Sequence, residues 1–313
     1  MSYYIGVDGG GTKTQIALFN EKKELLDSVK VAGSNHENLP GSFAQAADIL
    51  TDGIRLLLAE NGLTAGDITQ ILMGLAGLDH PFQHEALAAE LASRGLRNFS
   101  LYNDGFIVTK AALPDGVGIG YNCGTGTCCN SIAPDGTMLQ IGGFGELSDD
   151  RGNGHWLAQR AFVKIYDEVC LGLAHTAMTD ALCEKLEITP SRDALLAVIP
   201  KLDDPELAEE LIRLLIDVFF DALNAGDPAA EAICGEMAER GADFICAHLK
   251  KQRFGDSVTV ALSGSIHTKL PGERYLAALE AACRARTEKT LQFVKLDVPP
   301  VMGCINWMLE ERD

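Results

Sequence analysis

The sequence predicts an α/β protein of two lobes. Hairpin strands give way to strand–helix alternation in the first third, a glycine-broken pair of strands recurs near residue 119, and 47% of the 313 residues are hydrophobic, enough for two sizeable cores. That hydrophobic share rules out wholesale disorder. The balance of 26 Lys and Arg against 44 Asp and Glu leaves a net charge of −18. This argues against a nucleic-acid partner and against an anionic lipid surface, both of which call for a basic face. No run of about 18 apolar residues predicts a membrane span. The opening residues MSYYIGVDGGG lack the basic, apolar and small-residue regions of a secretory signal, so a cytoplasmic protein is expected. Nine cysteines scattered from Cys123 to Cys304, without a C-x-x-C pair or zinc spacing, predict reduced and mostly buried thiols. Cys128 and Cys129 are neighbours on a strand and face opposite ways.

Residues 3–7 are apolar and β-prone, Gly9, Gly10 and Gly11 break them, and residues 14–19 resume the pattern. A polar turn leads to a third strand over 25–31. Ser42 or Gly41 opens a helix to about Glu60, with Phe43, Ala46, Ile49, Leu50, Ile54 and Leu57 on one stripe. Asn61 and Gly62 end it. A strand over 71–75, a helix over 82–93 and a strand over 99–102 complete a first lobe of residues 1–113. The composition shifts near Pro114. Eleven glycines fall between 116 and 154, where average usage would place about three. Strands are expected over 117–122, 127–133 and 138–141. Beyond Trp156 the chain reads as mainly helical to about Lys250, then carries strands over 257–262 and 291–296 and a last helix over 303–310 that returns to the first lobe. The second lobe is residues 114–313. Ile5-Gly6-Val7-Asp8-Gly9-Gly10 and Ile119-Gly120-Tyr121-Asn122-Cys123-Gly124 superpose as a short internal repeat; coincidence and duplication are both compatible with so few positions.

Asp8-Gly9-Gly10-Gly11-Thr12-Lys13 is the strongest local signal. Successive glycines let the backbone approach a ligand and aim N–H groups at it. With Thr12, Lys13 and a carboxylate beside them, they suit a phosphate and a bound magnesium ion. A strand follows, not a helix, so this is neither a Rossmann fingerprint nor a Walker A loop; an ordinary glycine hairpin is the alternative. Gly124-Thr125-Gly126-Thr127 is a second such turn. Asn103-Asp104-Gly105 follows a strand, where a carboxylate can accept a proton in phosphoryl transfer or simply cap the next helix. Gly143-Phe144-Gly145 and the polar run Ser148-Asp149-Asp150-Arg151 form a loop that binds a ligand or only connects. Ser34-Asn35-His36 is a polar cluster fit for sugar hydroxyls or for a plain turn. Gly264-Ser265 closes a strand and opens a helix, a geometry suited to adenosine or phosphate, or to a simple cap.

Taken in order, these motifs resemble the actin, sugar-kinase and heat-shock-chaperone ATPase superfamily. Within it they are similar to the BadF/BadG/BcrA/BcrD ATPase family, which includes N-acetylglucosamine and glucosamine kinases. The resemblance implies a two-lobed actin-like (ribonuclease H-like) fold with ATP and Mg2+ in the cleft, and transfer of phosphate to an amino sugar, most simply O6 of N-acetylglucosamine. Glucosamine or N-acetylmuramic acid as acceptor, or an ATP-driven activator of a redox partner, are the alternatives. It implies ATP contacts at Gly9, Gly10, Gly11, Thr12, Lys13, Thr125, Gly126, Gly264 and Ser265, a metal at Asp8, and Asp104 as base. Sugar contacts are implied at Asn35, His36, Asp104, Thr127, Gly143, Phe144, Gly145 and Asp150, with Asp149 an alternative to Asp150. A homodimer is expected. The iron–sulfur branch of the family needs a cysteine pair that this sequence does not offer convincingly.

Overall fold

Three strands open the chain as an antiparallel meander because the apolar stretches are separated by turns of three or four polar or glycine residues. They are β1 (Tyr3–Gly9), β2 (Lys13–Asn20) and β3 (Leu25–Ala32). Helix α1 (Ser42–Glu60) lays Ala46, Leu50, Ile54 and Leu57 onto their sheet and ends at Asn61, before Gly62 with φ +64°. β4 (Ile68–Leu75) then pairs with β1 in parallel, and after α2 (Pro81–Ser93) β5 (Phe99–Tyr102) pairs in parallel with β4. The sheet order is β3-β2-β1-β4-β5. Asp104 begins α3 (Asp104–Ala112). The computed structural model describes residues 2–113, 115–269 and 273–310; Pro114, where the composition shifts, lies outside them.

The second sheet repeats this plan. β6 (Gly118–Cys123), β7 (Thr127–Ile132) and β8 (Met138–Gly142) form a meander. β9 (Ser257–Ser263) joins β6 in parallel, and β10 (Thr290–Lys295) joins β9. The order β10-β9-β6-β7-β8 is the first sheet's order read from its other end. The short sequence repeat is therefore the visible trace of two sheets of one topology. Between β8 and β9 run α4 (Gly154–Leu171), α5 (Ala177–Leu186), α6 (Arg192–Leu196), α7 (Pro205–Ala225) and α8 (Pro228–Lys251). The helical stretch expected after Trp156 is thus cut into five, with left-handed residues such as Gly172 (φ +68°) and Glu187 (φ +54°) at the breaks. α9 (Ser265–Thr268), α10 (Arg274–Arg284) and α11 (Met302–Glu310) complete the chain.

Two crossing helices join the sheets. α11 packs on β1 and β4, α3 packs on β6 and β7, and the two helices pack on each other. Glycines make the contact possible. A Cβ on Gly6 would lie 2.8 Å from that of Cys304 on α11; one on Gly120, the equivalent residue of the repeat, would lie 2.7 Å from Thr109 Oγ1 on α3. A Cβ on Gly303 would fall 1.8 Å from the Ile107 carbonyl oxygen. Ile107, Ile305 and Met308 are fully buried in this seam with Tyr4, Phe19 and Leu72. The carboxyl ends of β1, β4 and β5, the end of an open sheet where ligands bind, thereby adjoin the hairpin of β6 and β7.

Candidate active site

The first glycine turn closes with the Gly10 N–H donating to the Lys13 carbonyl at 3.0 Å. That bond removes Gly10 as an outward donor and leaves the N–H groups of Gly11 and Thr12 without partners among the described residues. Gly11, Thr12 and Lys13 are exposed, while Gly9 is buried. The turn rests on the segment after β3: the Gly10 carbonyl accepts from the amides of Ser34 (3.0 Å) and Asn35 (3.3 Å). A Cβ on Gly33 would fall 2.1 Å from the Gly11 carbonyl oxygen, so only glycine permits this seating. In the second turn the Gly124 N–H donates to the Gly126 carbonyl at 2.9 Å, and the N–H groups of the exposed Thr125 and Gly126 have no partner among the described residues. Gly264, at φ +84°, lies against it; a Cβ there would sit 2.1 Å from the Cys123 carbonyl oxygen. Ser265 is exposed beside it at the start of α9.

Carboxylates occupy the ground between the two turns. Asp8, at the end of β1, is pushed up to about 6 by burial, with Lys13 pulling the other way. Asp104 is pushed up to about 7, first by burial and then by the neighbouring charges of Asp8 and Asp79. The same field, after burial, raises the Cys128 thiol at the start of β7 through Asp104 and Asp79. Asp8, Asp104 and Cys128 thus mark one crevice, reached by β1 from one sheet and β7 from the other. Asn103 fixes the entry to α3: its Oδ1 accepts from the Gly105 N–H at 2.9 Å and from Asn130 Nδ2 at 3.1 Å.

Asn35 and His36 lie on the first-sheet side. Asn35 Oδ1 accepts from the Glu37 N–H at 3.0 Å, and a Cβ on Gly77, at φ +80°, would fall 2.4 Å from that oxygen. His36 is buried and stacks on Phe43 at 4.0 Å, and burial lowers its basicity. The 143–150 loop lies opposite. Asp150 Oδ2 accepts from the amides of Gly143 (3.0 Å) and Gly145 (2.8 Å), and its Oδ1 from Ser148 Oγ (2.7 Å). Burial raises its carboxyl and these donors oppose the shift. Asp149 instead pairs with Arg151 at 3.0 Å and Arg240 at 3.8 Å. Phe144 is partly exposed and stacks on His80 at 5.8 Å, across from the first sheet. Thr127 is buried, and its hydroxyl reaches the Arg151 carbonyl at 3.5 Å and Cys123 Sγ at 3.8 Å.

Sequence reasoning missed Asp79 and Gln140. Asp79 Oδ1 accepts from Asn103 Nδ2 at 3.0 Å and from Gln140 Nε2 at 2.6 Å, which ties the first sheet's edge to β8. The available signal was position: Asp79 follows β4 as Asp104 follows β5.

Two sheets of one topology, with glycine turns and a desolvated aspartate at their junction, form the actin-like fold of nucleotide-dependent phosphotransferases. The sequence pattern of the BadF/BadG/BcrA/BcrD ATPase family matches residues 5–285. The chain belongs to that family. It is similar to the N-acetyl-D-glucosamine kinase of Dictyostelium discoideum, 26% identical over 263 residues and 79% of each chain. It is also similar to the glucosamine kinase of Vibrio cholerae, 25% identical over 269 residues, 78% of this chain and 88% of that one. The structure of a candidate N-acetylglucosamine kinase from Chromobacterium violaceum superposes with a TM-score of 0.69 at 25% identity over 99% of both chains. No helix among the described residues is long and apolar enough to cross a membrane.

Proposed function

We propose that the protein is an ATP-dependent amino-sugar kinase, with N-acetylglucosamine the acceptor and its O6 the hydroxyl phosphorylated. The relatives' kinase activities support the class of reaction. The observation that supports the reading is that Asp8, beside the first glycine turn, and Cys128, beside the second, both lie near the desolvated Asp104. In this reading residues 1–113 and 114–313 are the two lobes and α11 returns to the first.

Free amides at Gly11, Thr12, Thr125 and Gly126 hold the triphosphate, because backbone N–H groups in a glycine turn are donors with no side chain in the way. Lys13 adds a cation beside the first turn. Gly264 and Ser265 back the nucleotide's adenosine end. Asp104 accepts the proton of the attacking hydroxyl; a carboxyl near 7 is matched to that task at neutral pH. Asn35, His36, Phe144, Asp150 and the backbone of Gly143, Gly145 and Thr127 surround the acceptor. Asp150 acts mainly by shaping the loop, since its oxygens are already engaged. Asp8 suits a magnesium ion: it is an oxygen donor, desolvated next to the phosphate turn, and Mg2+ takes one or two protein carboxylates together with substrate phosphates. When bound, the ion offsets triphosphate charge. The expected setting is a cytoplasmic homodimer.

A panel of N-acetylated, free-amine and lactyl-ether amino sugars, each scored for ATP consumption, tests the reading. N-acetylglucosamine is expected to give the highest kcat/KM. ATP turnover that no sugar accelerates overturns it.

A further inference from the structure

We infer that Asp79 reads a ring hydroxyl of the acceptor sugar, other than the one phosphorylated, through its Oδ2. The inference rests on the kinase reading above. Asp79 is partly exposed. It is close enough to Asp104, His36 and Cys128 for its charge to act on each. Across from it, the amide of Gln140 that it holds lies 3.1 Å from where a Cβ on Gly143 would stand. His36, the base Asp104 and, through Gln140, Gly143 of the loop opposite therefore all lie near this one carboxylate.

Its bonding is lopsided. Oδ1 takes both amides, from Asn103 and Gln140, while Oδ2 has no donor among the described residues. Neither does Asp79 take part in an ion pair there. A carboxylate only accepts hydrogen bonds, so two neutral amides orient it and leave one oxygen to be satisfied by a donor from the cleft. A sugar's hydroxyls are such donors. Asp79 does not cap α2: among the described residues neither of its oxygens accepts from an amide of that helix, and Gln83 Oε1 reaches back to the amides of Asp79 (2.8 Å) and His80 (2.7 Å). Asn103 is likewise held by Gly105 and Asn130 without it.

Steady-state kinetics of the full chain test this with Asp79→Asn, Gln140→Ala and a series of deoxy sugars. A hydrogen bond to a charged group predicts a loss of about 10- to 100-fold in kcat/KM for the sugar in Asp79→Asn, with KM for ATP within about 2-fold of the parent. The penalty should vanish on the one deoxy sugar that lacks the hydroxyl in question. Gln140→Ala, which frees the carboxylate to swing, should raise sugar KM by about 3- to 10-fold and carries the test if Asp79→Asn does not fold. Sugar kinetics within 2-fold of the parent in the folded variants, or a penalty equal on every deoxy sugar, overturns the inference while leaving the kinase reading intact. A parent enzyme that phosphorylates no sugar overturns both.

Discussion

Asp104 is the base of the proposed reaction, and its environment makes three predictions. Asp104→Asn should lower kcat by about 100- to 10,000-fold, the usual worth of a general base, with ATP affinity by calorimetry unchanged; a fully active variant would remove Asp104 from that role. The carboxyl sits near 7 in the free protein, and only its ionised form accepts a proton. Log kcat/KM for the sugar should therefore fall with slope one as pH drops below about 7, and a rate flat from pH 5 to 8 would contradict this. The stability sign is opposite. A carboxyl raised above its usual 3.8 favours the folded state while protonated, fully so below about pH 4, and that contribution is lost as pH rises through about 7. The melting temperature of Asp104→Asn relative to the parent should then increase between pH 5 and pH 8. Asp104 was legible in the sequence because a carboxylate after an apolar strand stands at the functional end of a sheet. Asp79 was not, because three residues separate it from β4 and its partner Gln140 is distant in sequence. Thr127 shows the converse: its place in a glycine turn was legible, but the direction of its hydroxyl depends on Arg151 and Cys123, which only packing brings near.

At the scale of elements, the seam of α3 and α11 sets the geometry of the crevice. Gly303→Ala would drive a methyl group to within 1.8 Å of the Ile107 carbonyl, and backbone on both sides cannot yield as a side chain would. Overpacking of this kind costs about 1–3 kcal/mol or more. A clear drop in denaturant midpoint is expected, together with impaired turnover, since α3 begins at Asp104; a variant as stable as the parent would show that the helices can separate freely. The strands and α1 were legible because apolar periodicity and turn residues agreed over each. β4 begins at Ile68, earlier than its apolar core suggests, since the Thr64–Asp67 capping turn feeds directly into it. α10 was not read at all, and the boundaries among α4 to α8 were not legible either. Those helices feed one apolar cluster, and some of the breaks between them turn on single left-handed residues such as Gly172 and Glu187, too short for composition to separate from helix.

For the whole molecule, the repeat of a six-residue pattern stood for the repeat of an entire sheet, and that equivalence puts a glycine turn at the matching corner of each sheet. The contacts of Asp79 with Gln140 and of His80 with Phe144 bridge the side of the first sheet to that of the second. In the proposed kinase these contacts would give lobe closure a defined register and help to keep water from the γ-phosphate. The acidic surface, at −18 overall, attracts no triphosphate from a distance, so nucleotide binding depends on these few local donors. The most direct measurement is the mass balance of one reaction: protein, Mg·ATP and N-acetylglucosamine, with ADP and sugar phosphate quantified together by phosphorus NMR. The account predicts one 6-phosphate ester formed per ADP and almost no inorganic phosphate. ADP accompanied by free phosphate, at the same rate with or without sugar, would contradict it.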